Sequence, residues 1–259
     1  MGQGRVIRLI AMEGGTVTMK ESHLMVGGSE RQRVLPIPMF LIEHPDGLVL
    51  FDTGCNPKVA VDPVACWGKI ASYLGVRMSP EQAVDEQIKL HGYKPQDVKY
   101  VVVSHLHLDH SGGLALFPQA KFFIMKGELN YAYWPDRSAR ASFKLEDLLP
   151  TRRFDWVELS DDTDLLGDGS LVMIKTPGHT PGHASLLIRF AHRHPLLITG
   201  DAAHIRAQLE SFAPMPADFD QRLAIASLKR IKEVSEREGA QVWVMHDPDD
   251  WAELPHVIA

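Results

Sequence analysis

Four side chains with metal-binding chemistry, His105, His107, Asp109 and His110, fall within six residues, directly after the apolar run Tyr100-Val101-Val102-Val103. No other feature restricts the fold as strongly, because ligands this close serve a metal only if a rigid element aims them. A β-branched run that gives way to polar residues reads as a buried strand feeding a loop. His105 and His107 are two apart, so an extended segment points both rings the same way. Gly112-Gly113 then permit a tight bend into a following helix. A lone histidine is more often a hydrogen-bonded polar residue than a ligand, but three beside an aspartate in one short run favour a ligand set. Imidazole nitrogen and carboxylate oxygen are the donors that zinc and similar divalent cations take.

Three further segments repeat the pattern. A strand over 170–175 leads into Thr176-Pro177-Gly178-His179-Thr180-Pro181-Gly182-His183, where proline and glycine leave His179 at a strand end. The apolar stretch 195–200 ends in Asp201, and 241–245 ends in His246. Each candidate ligand therefore lies just past the carboxyl end of a strand. His183 opens the next strand, 184–188, and is expected to support the ligands rather than bind metal.

These motifs, His-x-His-x-Asp-His, the doubled Thr-Pro-Gly-His, Thr199-Gly200-Asp201 and the late His246, resemble the metallo-β-lactamase superfamily over nearly the whole chain. The stretch Leu48-Val49-Leu50-Phe51-Asp52-Thr53-Gly54 looks like that superfamily's first motif. Within it, the chain is most similar to the N-acyl homoserine lactonases, the quorum-quenching enzymes. The compact length, the wording Ser-His-Leu-His-Leu-Asp-His and a long N-terminal hairpin ahead of Phe51 carry that likeness.

The resemblance implies an α/β fold, a four-layer αββα sandwich with metals at one edge between the sheets. It implies that His105, His107 and His179 hold one cation and Asp109, His110 and His246 another, with Asp201 bridging them. Two divalent metal ions are expected, Zn2+ foremost, although manganese, iron and cobalt suit the same donors. They would share a water and lower its pKa to roughly 7. The hydroxide would open the lactone ring of an N-acyl homoserine lactone, with Asp109 delivering a proton to the leaving ring oxygen. Asp52 is expected to orient a ligand or a loop backbone, or simply to end its strand.

One position departs from the family. Many of these lactonases carry a tyrosine three residues after the bridging aspartate, where this chain has His204. Its imidazole could donate one hydrogen bond to the substrate carbonyl, with added charge stabilisation if protonated, or it could merely line the pocket. For the acyl chain, Met19, Leu24, Met25, Trp67, Leu108, Tyr131, Trp134 and Phe212 are the candidate apolar wall, Leu108 first because it sits inside the ligand run. His23, His44, His91, His192, His194 and His256 read as surface residues.

Rival activities share this fold. Another lactone, such as one from pyridoxine breakdown, is the nearest. A glyoxalase II-like thioesterase would need a helical C-terminal region for which 247–259 leave no room. β-Lactam hydrolysis is disfavoured by having both His110 and Asp201. A nuclease would need a basic arm, and a metal-dependent scaffold with a dead site would have lost some ligands.

Composition agrees with an enzyme of this kind. With 259 residues, 45% of them hydrophobic, the chain can bury a full core, and residues 1–259 are expected to form a single domain. The formal charge of −6 argues against a nucleic-acid partner. Two cysteines, Cys55 and Cys66, are too few for a disulfide framework and read as free thiols in a reducing compartment. No apolar run is long enough to span a membrane. Val6 stands where a myristoylation signal wants Ser or Thr, and Arg8 interrupts the early apolar stretch, so the expected address is cytoplasmic. The resemblance also implies a small-molecule lactone as the partner and allows a homodimer, the common state of the relatives.

Along the chain, 6–12 and 16–19 read as a first hairpin, and 35–43 with 48–52 as a second, turned by His44-Pro45-Asp46-Gly47. A capping box predicts one helix from Ser79 to Gly92. Residues 122–125 read as a short strand and 127–134 as a helix. A last long helix is predicted from near Asp218 to Gly239, with Leu223, Leu228, Ile231 and Val234 on its inner side.

Overall fold

The computed structural model describes residues 6–259, so the reading of the first five residues lies outside the described part. Alternation of side chains builds a first sheet from β1 (Arg8–Lys20), β2 (Gln32–His44), β3 (Gly47–Phe51), β4 (Val98–Val102), β5 (Lys121–Met125), β6 (Asp155–Leu159) and β12 (Val257–Ile258). Its order is β12-β1-β2-β3-β4-β5-β6. The pairs from β3 to β6 are parallel, and those joining β12, β1, β2 and β3 are antiparallel. A second sheet, order β11-β10-β9-β8-β7, uses β7 (Thr163–Asp164), β8 (Leu171–Lys175), β9 (Ala184–Ile188), β10 (Leu196–Ile198) and β11 (Gln241–Trp243).

The period of two sends neighbouring residues to different cores. Leu9, Phe40, Val49, Phe51 and Val102 pack between the sheets against Met173, Leu186, Ile198 and Trp243. Ile10, Leu41, Leu50 and Val101 face the other way, onto Val84 and Ile88 of the helix Val84–Leu90. Leu187 and Leu197 on the second sheet meet Ile231 and Val234 of the helix Gln221–Glu238. The result is the expected four-layer αββα sandwich. Phe40 and Trp243 lock the sheets together edge to face, with ring centroids 5.2 Å apart, a contact of about 0.5–1.5 kcal/mol beyond the area it buries. Trp243 stands three residues before His246, so the core fixes the strand that delivers that ligand.

Four local readings are corrected. The first hairpin is one strand, β1, whose pairing with β2 slips between Glu13 and Thr16. Gly14-Gly15 make a bulge there instead of a turn: a Cβ on Gly14 would lie 2.5 Å from the Ile37 carbonyl oxygen, and Gly15 has φ +103°. The helix predicted from Ser79 is two pieces, a 3-10 turn Pro80–Gln82 with the capping box present, then Val84–Leu90, because Ala83 is extended at ψ 142°. The last helix starts at Gln221, capped by Asp220 and not by Asp218, and ends at Gly239. Its first inner position is Ala224, while Leu223 is 40% exposed.

His44, read as a surface residue, is buried. It closes the gap between the β2–β3 turn and the loop before β8, with Nε2 2.9 Å from Asp168 Oδ2 and 3.2 Å from Ser170 Oγ. No helix of the described residues is long and apolar enough to cross a membrane.

Asp147, on the short helix Leu145–Leu148, accepts a hydrogen bond from Asn56 on one oxygen and has no partner for the other. Burial raises its carboxyl from 3.8 to about 6. A raised carboxyl pKa favours the folded state at low pH, and that advantage is lost as pH climbs from about 4 to about 6. Asp147→Asn, which keeps the acceptor for Asn56 without the charge, should therefore stabilise the protein by about 1–3 kcal/mol at pH 7. Below pH 4 the gain should vanish. Denaturant midpoints of both proteins across pH 4–8 check this.

Candidate metal centre

All seven candidate ligands gather at one rim, beyond the carboxyl ends of β4, β8, β10 and β11. β10 and β11 end earlier than predicted, at Ile198 and Trp243, which frees the backbone to bend into the rim. Between His105 and His107 the chain is a loop and no longer a strand. The glycines after it serve close approach: a Cβ on Gly112 would lie 2.0 Å from the backbone nitrogen of Asn56. The segment after them is a 3-10 turn, Leu114–Leu116.

The ligands divide into two groups, His105, His107, His179 and Asp201, and Asp109, His110 and His246, each with donor atoms within 4.8 Å of one another. The Asp201 carboxylate joins them. Its Oδ2 is 3.6 Å from His105 Nε2 and 3.4 Å from His179 Nε2, while Oδ1 is 3.2 Å from His110 Nε2 and 2.8 Å from His246 Nε2. Asp109 Oδ2 lies 3.8 Å from His110 Nε2.

The far sides of the rings set their tautomers. His110 Nδ1 donates to Asp52 Oδ2 at 2.8 Å, His179 Nδ1 to Asp218 Oδ1 at 3.0 Å, and His246 Nδ1 to the Pro36 carbonyl at 2.7 Å. The Ser104 hydroxyl donates to Asp52 Oδ2 and so accepts from His105 Nδ1 at 3.0 Å. Each proton held on Nδ1 leaves an Nε2 lone pair pointing at a carboxylate or another imidazole. His105 Nε2 is buried without a hydrogen-bond partner. His107 Nδ1 faces the lone pair of His179 Nε2 at 3.0 Å. Lone pairs converging at these distances repel unless a proton or a cation lies among them, and a buried set of imidazoles and carboxylates of this kind fits two divalent metals.

Electrostatics agree. Burial opposes a charge on Asp201, yet His110, His246, His204 and His105 around it hold its carboxyl well below the usual range. Burial and neighbouring imidazoles push His105 and His107 well down, so both are neutral donors. Burial also works against a charge on His110, but Asp201 and Asp109 outweigh it and raise that ring well above its ordinary value. A cluster that holds protons in this way exchanges them for metal.

Residues behind the ligands complete the frame. Asp52, with φ 58°, accepts from the Ser104 amide at 2.7 Å and ties β3 to the ligand loop. His183 Nδ1 donates to the Thr176 carbonyl, and its Nε2 accepts the Asp201 amide at 2.8 Å. Burial drives this ring down to about 3, so it stays neutral and holds the bridging residue by its backbone. Gly200 (φ +56°) is needed there, since a Cβ would lie 2.7 Å from His183 Nε2. Sequence reading missed Asp218, the Pro36 carbonyl and Glu128. The buried Glu128 carboxylate accepts the Leu106 amide at 3.0 Å and the Gly182 amide at 2.9 Å, clamping two ligand loops to one side chain. An acidic residue entering a buried helix was the only local signal for it.

Above the ligands opens a cavity of about 790 Å3. Leu108, Met19 and Tyr131 line it, with Val17, Leu35, Ile70 and Leu74, and so do Asp109 and His204. His23, read as a surface residue, lies at this wall with its ring on Tyr73. Five of the predicted wall residues are elsewhere. Trp67 and Leu24 are buried beneath the wall, where Met25 packs against them. Trp134 is 88% exposed, and Phe212 packs under Lys229 and Lys232 on the second sheet's helix side. Aromatic character alone does not say which face of a loop a side chain takes.

Residues 33–237 match the metallo-beta-lactamase superfamily. The chain is 37% identical over 251 residues to the N-acyl homoserine lactonase AttM of Rhizobium radiobacter, covering 95% of each. It is 32% identical over 219 residues to the N-acyl homoserine lactonase AiiA of Bacillus thuringiensis subsp. kurstaki, covering 82% of each. Its fold matches a solved N-acyl homoserine lactone hydrolase holding the product N-hexanoyl-L-homoserine at its catalytic metal center, with TM-score 0.86, 27% identity and 97% of each chain covered. Together with the ligand geometry, these likenesses mean that the chain belongs to the N-acyl homoserine lactonase family of the metallo-β-lactamase superfamily.

Proposed function

We propose that the protein is a metal-dependent hydrolase that opens the lactone ring of N-acyl homoserine lactones, acting as one domain with zinc as its resident metal. The observation that carries this reading is Asp201, whose two oxygens face two separate imidazole groups on the floor of an apolar-walled cavity. His105, His107 and His179 would hold one cation, Asp109, His110 and His246 the other, and Asp201 both. Such a pair, when bound, acidifies water and polarises an ester carbonyl.

The chain's own groups do the rest. Leu108, Met19, Val17 and Ile70 take the acyl chain out of water, and a cavity near 790 Å3 has room for a long one. Asp109 lines the same cavity and is partly open to it, so its carboxylate can take a proton from the attacking water and pass it to the ring oxygen as the C–O bond breaks. Asp52, Ser104, Asp218 and His183 keep the ligand rings and the Asp201 backbone from turning. Two unpaired cysteines, Cys55 and Cys66, support a reducing, cytoplasmic setting.

The test compares metal-stripped and zinc-restored protein on N-acyl homoserine lactones, an aryl ester, a glutathione thioester and a β-lactam, with products identified by mass. Zinc-restored protein should form the ring-opened N-acyl homoserine with kcat/KM on the order of 10^4 M−1 s−1 or above. Stripped protein should lose at least about 10^3-fold. Faster cleavage of the thioester or β-lactam than of any lactone would refute the assignment.

A further inference from the structure

Both oxygens of the Asp218 carboxylate are in use, and they join the ligand set to the wall of the cavity. Oδ1 accepts from His179 Nδ1 at 3.0 Å, and Oδ2 accepts the Met215 amide at 2.8 Å. The side chain is only 4% exposed, so water competes little for either bond. Met215, Pro216, Ala217 and Phe219 line the cavity. The segment that carries them has no helix or strand of its own, and Pro216, Ala217 and Phe219 are exposed. At one end the Phe219 amide donates to the His179 carbonyl at 3.2 Å and the Asp220 amide to the Gly178 carbonyl at 3.0 Å. At the other, the Pro214 carbonyl accepts the Val26 amide at 2.9 Å. Between them Asp218 closes the turn twice, because its own amide also donates to the Met215 carbonyl at 3.2 Å. An exposed segment without regular structure has little stability of its own, so a buried bond to a charged group decides where it sits. The two oxygens belong to one planar group, so a shift of the His179 ring is passed to Met215.

We infer that Asp218 couples metal binding to acyl-chain binding: when the His179 ring is fixed on a cation, the wall 215–219 that receives the chain is fixed with it. Asp218 is thus a positioning residue that reaches the substrate through the Met215 backbone. The inference rests on the lactonase reading. Coupling of this kind is reciprocal, so a chain laid on the wall strengthens the hold on metal by the factor by which metal strengthens the hold on the chain. A short acyl group covers little of the wall and gains little.

The first measurement needs no turnover. Amide hydrogen exchange of segment 213–220 in the wild type should slow by about 5-fold or more on zinc loading. Asp218→Asn offers one acceptor oxygen and turns an NH2 group toward the other donor, so it can hold the ring or the wall but not both. Asp218→Ala holds neither and guards against a rearranged amide. In both variants, filled with zinc as checked by elemental analysis, exchange of the segment should match that of the stripped protein within about 2-fold. The second measurement titrates zinc with a chelator at saturating N-decanoyl homoserine or N-butanoyl homoserine, ring-opened products with the same headgroup. In the wild type the longer product should raise zinc affinity about 5-fold or more beyond the shorter, and in the variants the two should agree within about 2-fold. Equal slowing of exchange in wild type and variants overturns the inference. So does a difference between the products that survives in the variants or is absent from the wild type. Wild-type protein that binds neither product and opens no N-acyl homoserine lactone refutes the lactonase reading instead, and exchange alone then decides whether Asp218 links metal to wall.

Discussion

Replacing Asp201 with alanine should cost the protein most of its bound metal and at least about 10^3-fold in kcat/KM, while leaving the fold in place. This carboxylate is the one donor that faces both ligand groups, with His246 Nε2 at 2.8 Å on one oxygen and His179 Nε2 at 3.4 Å on the other. Removing it would delete one anion from the surroundings of each bound cation, together with the carboxylate that spans the two groups. The backbone should survive the change, because His183 holds the Asp201 amide and not its side chain. Without the buried anion the neighbouring imidazoles simply release their protons, which avoids an uncompensated charge. Elemental analysis after dialysis against a weak chelator, beside circular dichroism, separates the effects. Retention of two tightly held metals by the variant would remove Asp201 from its bridging place.

Glu128→Ala should be the most damaging change outside the ligands, lowering stability by about 2–5 kcal/mol. Each Glu128 oxygen takes one backbone N–H, from Leu106 between two ligands and from Gly182 just past His179. Alanine leaves both amides buried and unpaired, at about 1–3 kcal/mol each. The loops carrying His105, His107 and His179 then lose their common anchor, and metal affinity should fall roughly 10–100-fold. Glu128→Gln keeps one acceptor oxygen and should cost about half as much. Urea unfolding and a competitive chelator titration measure the two effects. Equal stability of all three proteins would show that the clamp carries no energy.

These two residues also mark what could be read from the chain. Asp201 was legible because a strand-terminal Thr-Gly-Asp is local, and so were His105 to His110, His179 and His246. Glu128 was not. Its partners lie 22 and 54 residues away and are backbone amides, which have no sequence signature. The Pro36 carbonyl behind His246 is 210 residues distant, and Asp218 behind His179 is 39. The acyl wall divided in the same way. Leu108 lay in the cavity because the ligand run fixes its neighbours, whereas Trp67 and Trp134 went to the core and to solvent. Gly14-Gly15 carried a turn's composition yet bulged, because β2 was long enough to pair on both sides of them.

By itself, the sequence determined the main strands and the metal donors, because strand alternation and ligand spacing are short-range patterns tied to covalent geometry, and the layered fold followed from the family its motifs resemble. Only the tertiary structure decided the imidazole tautomers and the two-sided use of Asp201 and of Asp218. Those depend on which hydrogen-bond partners the packed sheets bring within about 3 Å, and a distance of that kind exists only once the chain has folded.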